Sequence, residues 1–275
     1  MRRYSLLLSL LPLLFFFNLL TSATVMAGQT VVLIHGYLGG GYSWYINGIS
    51  ATLHHAGWPM GGEMSPFPAL APVIPQAAGD YHYTIVLPSE APIMIQAQHV
   101  QAYLQLIQQR HPENELILIG HSAGGVVARF VLVSQPQWPV KALITIASPH
   151  LGTAWADTGL SIVHSPFGWI TPFLGLGTLN RSVGLYADLL PEMPGSFLFW
   201  LNRQPHPQDV EYIAILRGSD PGLHGDGVVP ALSQDLNRVF ALQGRARLIP
   251  TWGQHDLHPG DGLLLVQVLK ELRGD

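Results

Sequence analysis

The sequence has no cysteine among its 275 residues. This absence excludes disulfide bridges, thiolate nucleophiles and zinc sites built on thiolates. Charged residues are also scarce, at 11% of the chain, and the formal net charge of -4 comes without a basic cluster or stripe. Because nucleic-acid binding depends on clustered Lys and Arg that neutralise phosphates, we expect no nucleic-acid partner.

Apolar residues are abundant, at 48% of the chain, so the sequence can fill the core of one large domain. Strand-like and helix-like segments alternate along it, which is typical of an α/β fold with a mostly parallel, doubly wound sheet. The predicted strands are Thr30–Ile34, Tyr83–Leu87, Glu115–Ile119, Lys141–Ile146, Val210–Leu216 and Ala246–Ile249. The predicted helices are Tyr42–Ala56, Ile93–Arg110, Ser122–Ser134 and Leu263–Leu272.

The first 27 residues have the three parts of an export signal: Arg2 and Arg3, an apolar run, and small residues that end at Ala27. Cleavage is expected after Ala27, with Ala23 as the alternative, so residues 28–275 would form the mature domain. A retained membrane anchor is the competing interpretation. The run is short for a bilayer and is interrupted by polar residues and a proline, which favours cleavage and an exported protein.

Two segments depart from the alternation. Trp58–Asp80 carries five prolines and is predicted to be an irregular surface excursion. Thr153–Pro207, after the fourth predicted strand, is apolar, aromatic and poor in charge. An exposed patch of this kind must cover something or meet a lipid, so this insertion is expected to be a lid or a fixed cap over the site, and sequence does not distinguish the two.

The segment Gly120-His121-Ser122-Ala123-Gly124 matches G-x-S-x-G and lies between a predicted strand and a predicted helix. Such a turn forces its central residue into a cramped backbone conformation, and the flanking glycines remove Cβ atoms that would collide. Ser122 is therefore predicted to be a nucleophile at the carboxyl edge of the sheet.

A serine hydroxyl needs a general base and a group that orients that base. His255 follows the last predicted strand and is the preferred base, with His258 as the alternative. Asp226, between two glycines, is the preferred acid, and Asp220, which precedes a proline, is its rival. Asp157 and Asp188 are weaker candidates because they lie in the apolar insertion.

Two backbone N–H groups must stabilise the oxyanion of the tetrahedral intermediate. We expect one from Ala123, directly after the nucleophile. The other is expected from Tyr37, in the sequence HGYLGGG that follows the first strand.

The blocks VVLIHGYLGG, ILIGHSAGG, IASPHLGTAWAD and GDGVVP occur in this order and are followed by His255. With them the chain resembles the α/β-hydrolase lipases, in particular bacterial triacylglycerol lipases and the enzymes that deacylate glycosylphosphatidylinositol anchors. The resemblance implies carboxylic-ester hydrolysis at a lipid by Ser122, His255 and Asp226, with Tyr37 and Ala123 as the oxyanion hole. It also implies a lipid or acyl-ester substrate and allows a transient contact with a membrane.

No cofactor and no metal are expected. The histidine pairs His54-His55 and His255/His258 lack a metal-binding pattern with carboxylates. We see no calcium pattern near Asp256 and Asp261, although several bacterial lipases have a calcium site. The sequence leaves two other functions open: an esterase, thioesterase or amidase with a small soluble substrate, and a non-catalytic protein of this fold that binds lipid.

Overall fold

A computed structural model describes residues 28–66, 79–163, 177–218 and 224–274. The predicted export signal, the centres of the proline-rich segment and of the insertion, and Asp220 lie outside the described residues.

The centre of the fold is a seven-stranded sheet in which all the paired strands are parallel, in the order β2-β3-β1-β4-β5-β6-β7. The strands are β1 (Gln29–Ile34), β2 (Met60–Met64), β3 (Tyr81–Ile85), β4 (Glu115–His121), β5 (Val140–Ile146), β6 (Glu211–Gly218) and β7 (Ala246–Trp252). The order reverses beside β1, so the loops after β1 and β4 meet at the carboxyl edge. Ligands of open α/β sheets bind at such a point.

Helices connect and cover the strands. They are α1 (Tyr42–Ile46), α2 (Ile49–His55), α3 (Ile93–Arg110), α4 (Ala123–Ser134), α5 (Ala154–Val163), α6 (Gly177–Arg181), α7 (Val183–Asp188), α8 (Phe197–Leu201), α9 (Ala231–Gln234) and α10 (Pro259–Arg273). Short 3-10 helices span Leu236–Arg238 and Phe240–Leu242.

The two faces of the sheet bury separate apolar clusters. Successive residues of a strand point to opposite faces. Along β1, Val32 and Ile34 pack in the cluster that contains residues of α3 and α4. Val31 and Leu33 pack in the cluster with residues of α1, α2 and α10. Helices therefore cover both faces, and the predicted doubly wound parallel sheet is confirmed.

The structure corrects two predicted elements. The helix expected at Tyr42–Ala56 is two helices, because Gly48 between them takes a left-handed backbone conformation (φ 71°) that ends the first. The excursion expected at Trp58–Asp80 begins with strand β2 at the sheet edge. Its sequence, MGGEM, lacks β-branched residues. Gly61 lets the Tyr83 ring lie close to the backbone, since a Cβ there would come within 2.3 Å of the Tyr83 Cζ.

The apolar insertion contains four helices, α5 to α8, in its described part. It follows β5, which is the fourth predicted strand and the fifth strand of the structure, because β2 was not predicted. Helices α5 and α7 pack on each other and place their apolar residues over the carboxyl edge of the sheet.

The turn between β4 and α4 tolerates no side chain at Gly120, because a Cβ there would lie 2.4 Å from the Cα of Gly125. We expect Gly120→Ala to lower the free energy of unfolding by about 1–3 kcal/mol, the usual cost of overpacking. Chemical denaturation measures this change. Gly260→Ala is the matched control, since an added Cβ there meets only the His258 ring, at 3.0 Å. Equal stability of both variants would contradict this account of the turn.

Candidate active site

Ser122 lies where β4 ends and α4 begins, in a backbone conformation that non-glycine residues rarely adopt (φ 52°, ψ -129°). Other backbone segments of the protein pack closely around Ser122 and hold it in this conformation. A Cβ on Gly124 would come within 2.5 Å of the His35 carbonyl oxygen, and a Cβ on Gly36 would lie 2.8 Å from the Ser122 Cβ. The loop after β1 therefore packs directly against the serine.

His255 lies in the loop between β7 and α10, and its Nε2 is 2.8 Å from the Ser122 Oγ. Its side chain is largely buried, with 17% exposed. The alternative, His258, is 42% exposed and lies 3.6 Å from an Asp261 carboxylate oxygen, where it helps to cap α10. The structure thus brings His255 to Ser122 and places His258 elsewhere.

Asp226 completes the arrangement, since its Oδ2 lies 2.7 Å from the His255 Nδ1. Its Oδ1 accepts the N–H groups of Val228 (2.9 Å) and Val229 (2.7 Å). Burial alone would raise the pKa of Asp226, but the hydrogen bonds from His255 and from these N–H groups outweigh it and hold the pKa below its usual value. The carboxylate is therefore ionised beside the imidazole.

The other acid candidates are not at this position. Asp157 is exposed on α5. Asp188 accepts the N–H of Ile93 at 2.7 Å and so caps α3, and burial raises its pKa. Asp220 lies outside the described residues.

Tyr37 and Ala123, the expected oxyanion-hole donors, both border the crevice that contains Ser122 and His255. The Tyr37 side chain has a further contact that the sequence did not reveal. Its hydroxyl lies 2.6 Å from the Tyr186 hydroxyl and accepts from Ser182 at 3.0 Å. These bonds tie the loop after β1 to helix α7 of the insertion.

Two cavities meet at Ser122. The first, of about 270 Å³, lies towards the insertion. Its walls are mostly apolar, among them Pro149, Ala156, Leu185, Leu189, Val228 and Val229. The second, of about 430 Å³, lies towards α1. It has polar residues in its lining, among them Tyr42, Ser43, Asn47 and Asp256. The serine hydroxyl thus has an apolar space on one side and a more polar one on the other.

Sequence reasoning missed a group of buried and half-buried polar residues around the site. Gln234 donates to an Asp226 carboxylate oxygen (3.4 Å) and to the Val229 carbonyl (3.0 Å), so it braces the acid loop. Arg217 at the end of β6 and His121 beside the serine also belong to this group. The only signal in the sequence is a polar residue placed in an apolar stretch, which does not specify a partner.

No group of three or more His, Asp or Glu side chains in the described part of the chain is arranged to hold a metal ion. Asp261, considered above for calcium, forms an ion pair with Arg217. Within the described ranges, no helix has the length and apolar character needed to cross a membrane.

Known proteins resemble this chain in part of its sequence and in its fold. Residues 93–163 match the PGAP1-like alpha/beta domain, which covers α3 to α5 and includes Ser122. A segment of 72 residues is 36% identical to the lysosomal thioesterase PPT2 homolog of Drosophila melanogaster. That segment is 26% of this chain and spans only 23% of the relative's length.

Solved structures share the fold over nearly the whole chain. The mature Bacillus licheniformis lipase BlEst2 is 18% identical with a TM-score of 0.60, over 90% of this chain and 93% of that one. The lin2722 gene product of Listeria innocua is 15% identical with a TM-score of 0.60, over 89% and 93%. A metagenomic carboxyl esterase, MGS0156, is 14% identical with a TM-score of 0.56, over 91% and 77%. The chain is thus an α/β-hydrolase-fold protein that resembles lipases.

Proposed function

We propose that the chain is a serine hydrolase that cleaves acyl esters of lipid-like substrates through an acyl-Ser122 intermediate. The observation that carries this proposal is the position of the His255 imidazole, 2.8 Å from the Ser122 Oγ and 2.7 Å from the Asp226 Oδ2. A hydroxyl, an imidazole and a carboxylate in this order form the arrangement that activates serine for acyl transfer.

The geometry assigns a task to each group. Asp226 accepts the Nδ1–H of His255, which leaves the Nε2 lone pair free to take the proton of Ser122. The serine oxygen attacks the ester carbonyl, and the N–H groups of Tyr37 and Ala123 stabilise the oxyanion. His255 then gives its proton to the leaving alcohol, and an acyl-serine remains. Water, deprotonated by the same imidazole, releases the acid and restores Ser122.

A lipid-like acyl group is favoured by the apolar crevice under helices α5 and α7. Burial of methylene groups in such a crevice contributes about 0.8 kcal/mol each. Exposed apolar side chains also stand beside the site. Leu38, Tyr42 and Ile46 are more than half exposed at the rim of the second cavity, and Trp155 is 61% exposed at the rim of the first. We propose that this rim makes a transient contact with a lipid surface.

Thioester hydrolysis is the second candidate, since the Drosophila relative is described as a thioesterase homolog. The same three side chains would serve both reactions. An amidase and a non-catalytic lipid-binding protein are the remaining alternatives. Export of the mature domain, after cleavage at Ala27 or Ala23, stays a proposal that N-terminal sequencing of the secreted protein would test.

A series of p-nitrophenyl esters tests the proposed activity. We expect the mature protein to hydrolyse medium- and long-chain esters at least as well as the acetate, and Ser122→Ala to lose several orders of magnitude in turnover. A thioester series with the same acyl groups separates the two enzyme candidates. Good activity on acetate and none on long chains would defeat the lipid assignment. No activity on either series would contradict the ester and thioester proposals and leave an amidase or a lipid-binding protein.

Asp226→Asn tests the assigned acid. An amide cannot hold the imidazole in the tautomer that accepts the serine proton, so we expect turnover to fall about ten-thousandfold. Steady-state kinetics on a soluble butyrate ester would measure this loss. Asp157→Asn, at an exposed position on α5, is the matched control and should keep wild-type turnover. Near-normal rates for Asp226→Asn, together with a large loss for Asp220→Asn, would move the role to Asp220.

Ile46→Asp tests the proposed lipid contact. Ile46 is 74% exposed on α1, so the change should leave the fold intact and place a charge where the rim meets lipid. We expect several-fold lower activity on micellar long-chain esters and unchanged activity on soluble butyrate. Leu263→Asp is the control, because Leu263 is 69% exposed on α10 and borders neither cavity. Equal effects of both changes would contradict a contact through the α1 rim.

A further inference from the structure

The loop that carries His255 has little apolar packing of its own. Gln254 and Asp256, on either side of the histidine, are exposed, and within Gly253–His258 only Leu257 is a buried apolar residue. Yet the imidazole must stay within hydrogen-bond distance of two partners at once. Something other than apolar burial has to fix this stretch of backbone.

A half-buried side chain, His121, and a fully buried one, Arg217, hold its carbonyl groups. The Nε2–H of His121 donates to the His255 carbonyl oxygen at 2.7 Å. The Arg217 Nη1 donates to the Asp256 carbonyl oxygen and, at 3.5 Å, to that of Gln254. Three successive carbonyl groups of the loop thus accept hydrogen bonds from two residues that belong to β4 and β6.

Arg217 is itself locked in place. Its guanidinium is fully buried and pairs with the equally buried Asp261 carboxylate at 2.5 Å. Asp261 also accepts the N–H of His258 at 2.9 Å, which fixes the start of α10. The Arg217 backbone exchanges hydrogen bonds with the side chain of Gln234 at 2.6 and 2.9 Å. The ion pair therefore links the loop that carries Asp226, the loop that carries His255 and the first turn of α10.

His121 acts as a neutral donor. Burial, with the nearby His255 ring as a second cause, lowers the pKa of His121 to about 3. Its ring centroid lies 5.2 Å from that of His255, so the two imidazoles pack side by side. The residue sits at the variable position of G-x-S-x-G, directly before the serine, and so ties the nucleophile turn to the base.

We infer that His121, Arg217 and Asp261 are positioning residues, a backbone clamp that sets the His255 imidazole between Ser122 and Asp226. The inference rests on the proposed function for its kinetic consequence. Its structural consequence, an ordered loop at residues 253–258, holds whether or not the chain is a hydrolase. A displacement of about 1 Å in a reacting group can cost a hundredfold in rate, so a clamp of this kind has a measurable effect.

The test uses variants that remove the clamp and keep the fold. Arg217→Met with Asp261→Leu removes both buried charges together, and such apolar replacement of a buried ion pair is often neutral or stabilising. His121→Phe keeps an aromatic ring, slightly larger than imidazole, and removes the donor. His121→Gln restores an N–H donor. The matched control is Arg273→Met with Asp80→Leu, which removes an ion pair that borders neither cavity.

We expect the double variant and His121→Phe to lower kcat on a soluble ester about ten- to hundredfold, with KM changed less than about twofold. His121→Gln should recover part of the loss, and the control should match wild type. Hydrogen exchange of residues 253–258 should speed up in the same two variants, with an unchanged melting temperature for His121→Phe.

Unchanged kcat and unchanged exchange in His121→Phe would overturn the inference, and this variant decides the matter if the double variant does not fold. Faster exchange in a protein whose wild type hydrolyses nothing would support the clamp and contradict the proposed function. An equal loss of kcat in His121→Phe and His121→Gln would contradict the role of the N–H donor.

Discussion

The strained turn at Ser122 determines where the other groups of the site must lie. A left-handed backbone at a serine costs about 1–3 kcal/mol and persists only where surrounding structure enforces it. Here strand β4 passes into helix α4 at that residue, and Gly36, Gly120 and Gly124 allow three segments of backbone to come together without Cβ atoms. The hydroxyl is consequently raised above the carboxyl edge of the sheet, beside the first turn of a twelve-residue helix whose free N–H groups favour negative charge.

Because the strands are parallel, the loops that carry the other residues of the site lie at the same edge of the sheet. The loops after β1, β6 and β7 all leave the sheet there, so residues far apart in the chain become neighbours of Ser122. Polar contacts hold the site together. Gln234 donates to Asp226, and the Arg217–Asp261 pair and His121 hold the loop that carries His255. Tyr37 contacts the insertion through a hydrogen bond with Tyr186. The apolar crevice lies between these polar contacts and the insertion, and it is the space that we propose for the acyl group.

The sequence predicted the parts of the protein whose signals are local. Short segments rich in apolar residues marked six of the seven strands, and the glycine spacing marked the turn at Ser122. The gathering of Ser122, His255 and Asp226 followed from chain order and turn chemistry. Strand β2 was missed because MGGEM has no strand-like composition and is paired only at one edge, by contacts with β3 that are distant in the chain. The roles of Gln234, Arg217 and His121 were missed for the same reason, since a buried polar residue does not show in the sequence which carbonyl or carboxylate it will meet.

Covalent labelling would show whether the His255 imidazole activates Ser122. A fluorophosphonate reacts with a serine that an adjacent base has activated, and mass spectrometry of the digested protein locates the adduct. We expect one adduct, on the peptide that contains Ser122, formed by the wild type and by neither Ser122→Ala nor His255→Ala. An unlabelled wild type, or labelling that persists without His255, would contradict the activation of Ser122 by His255.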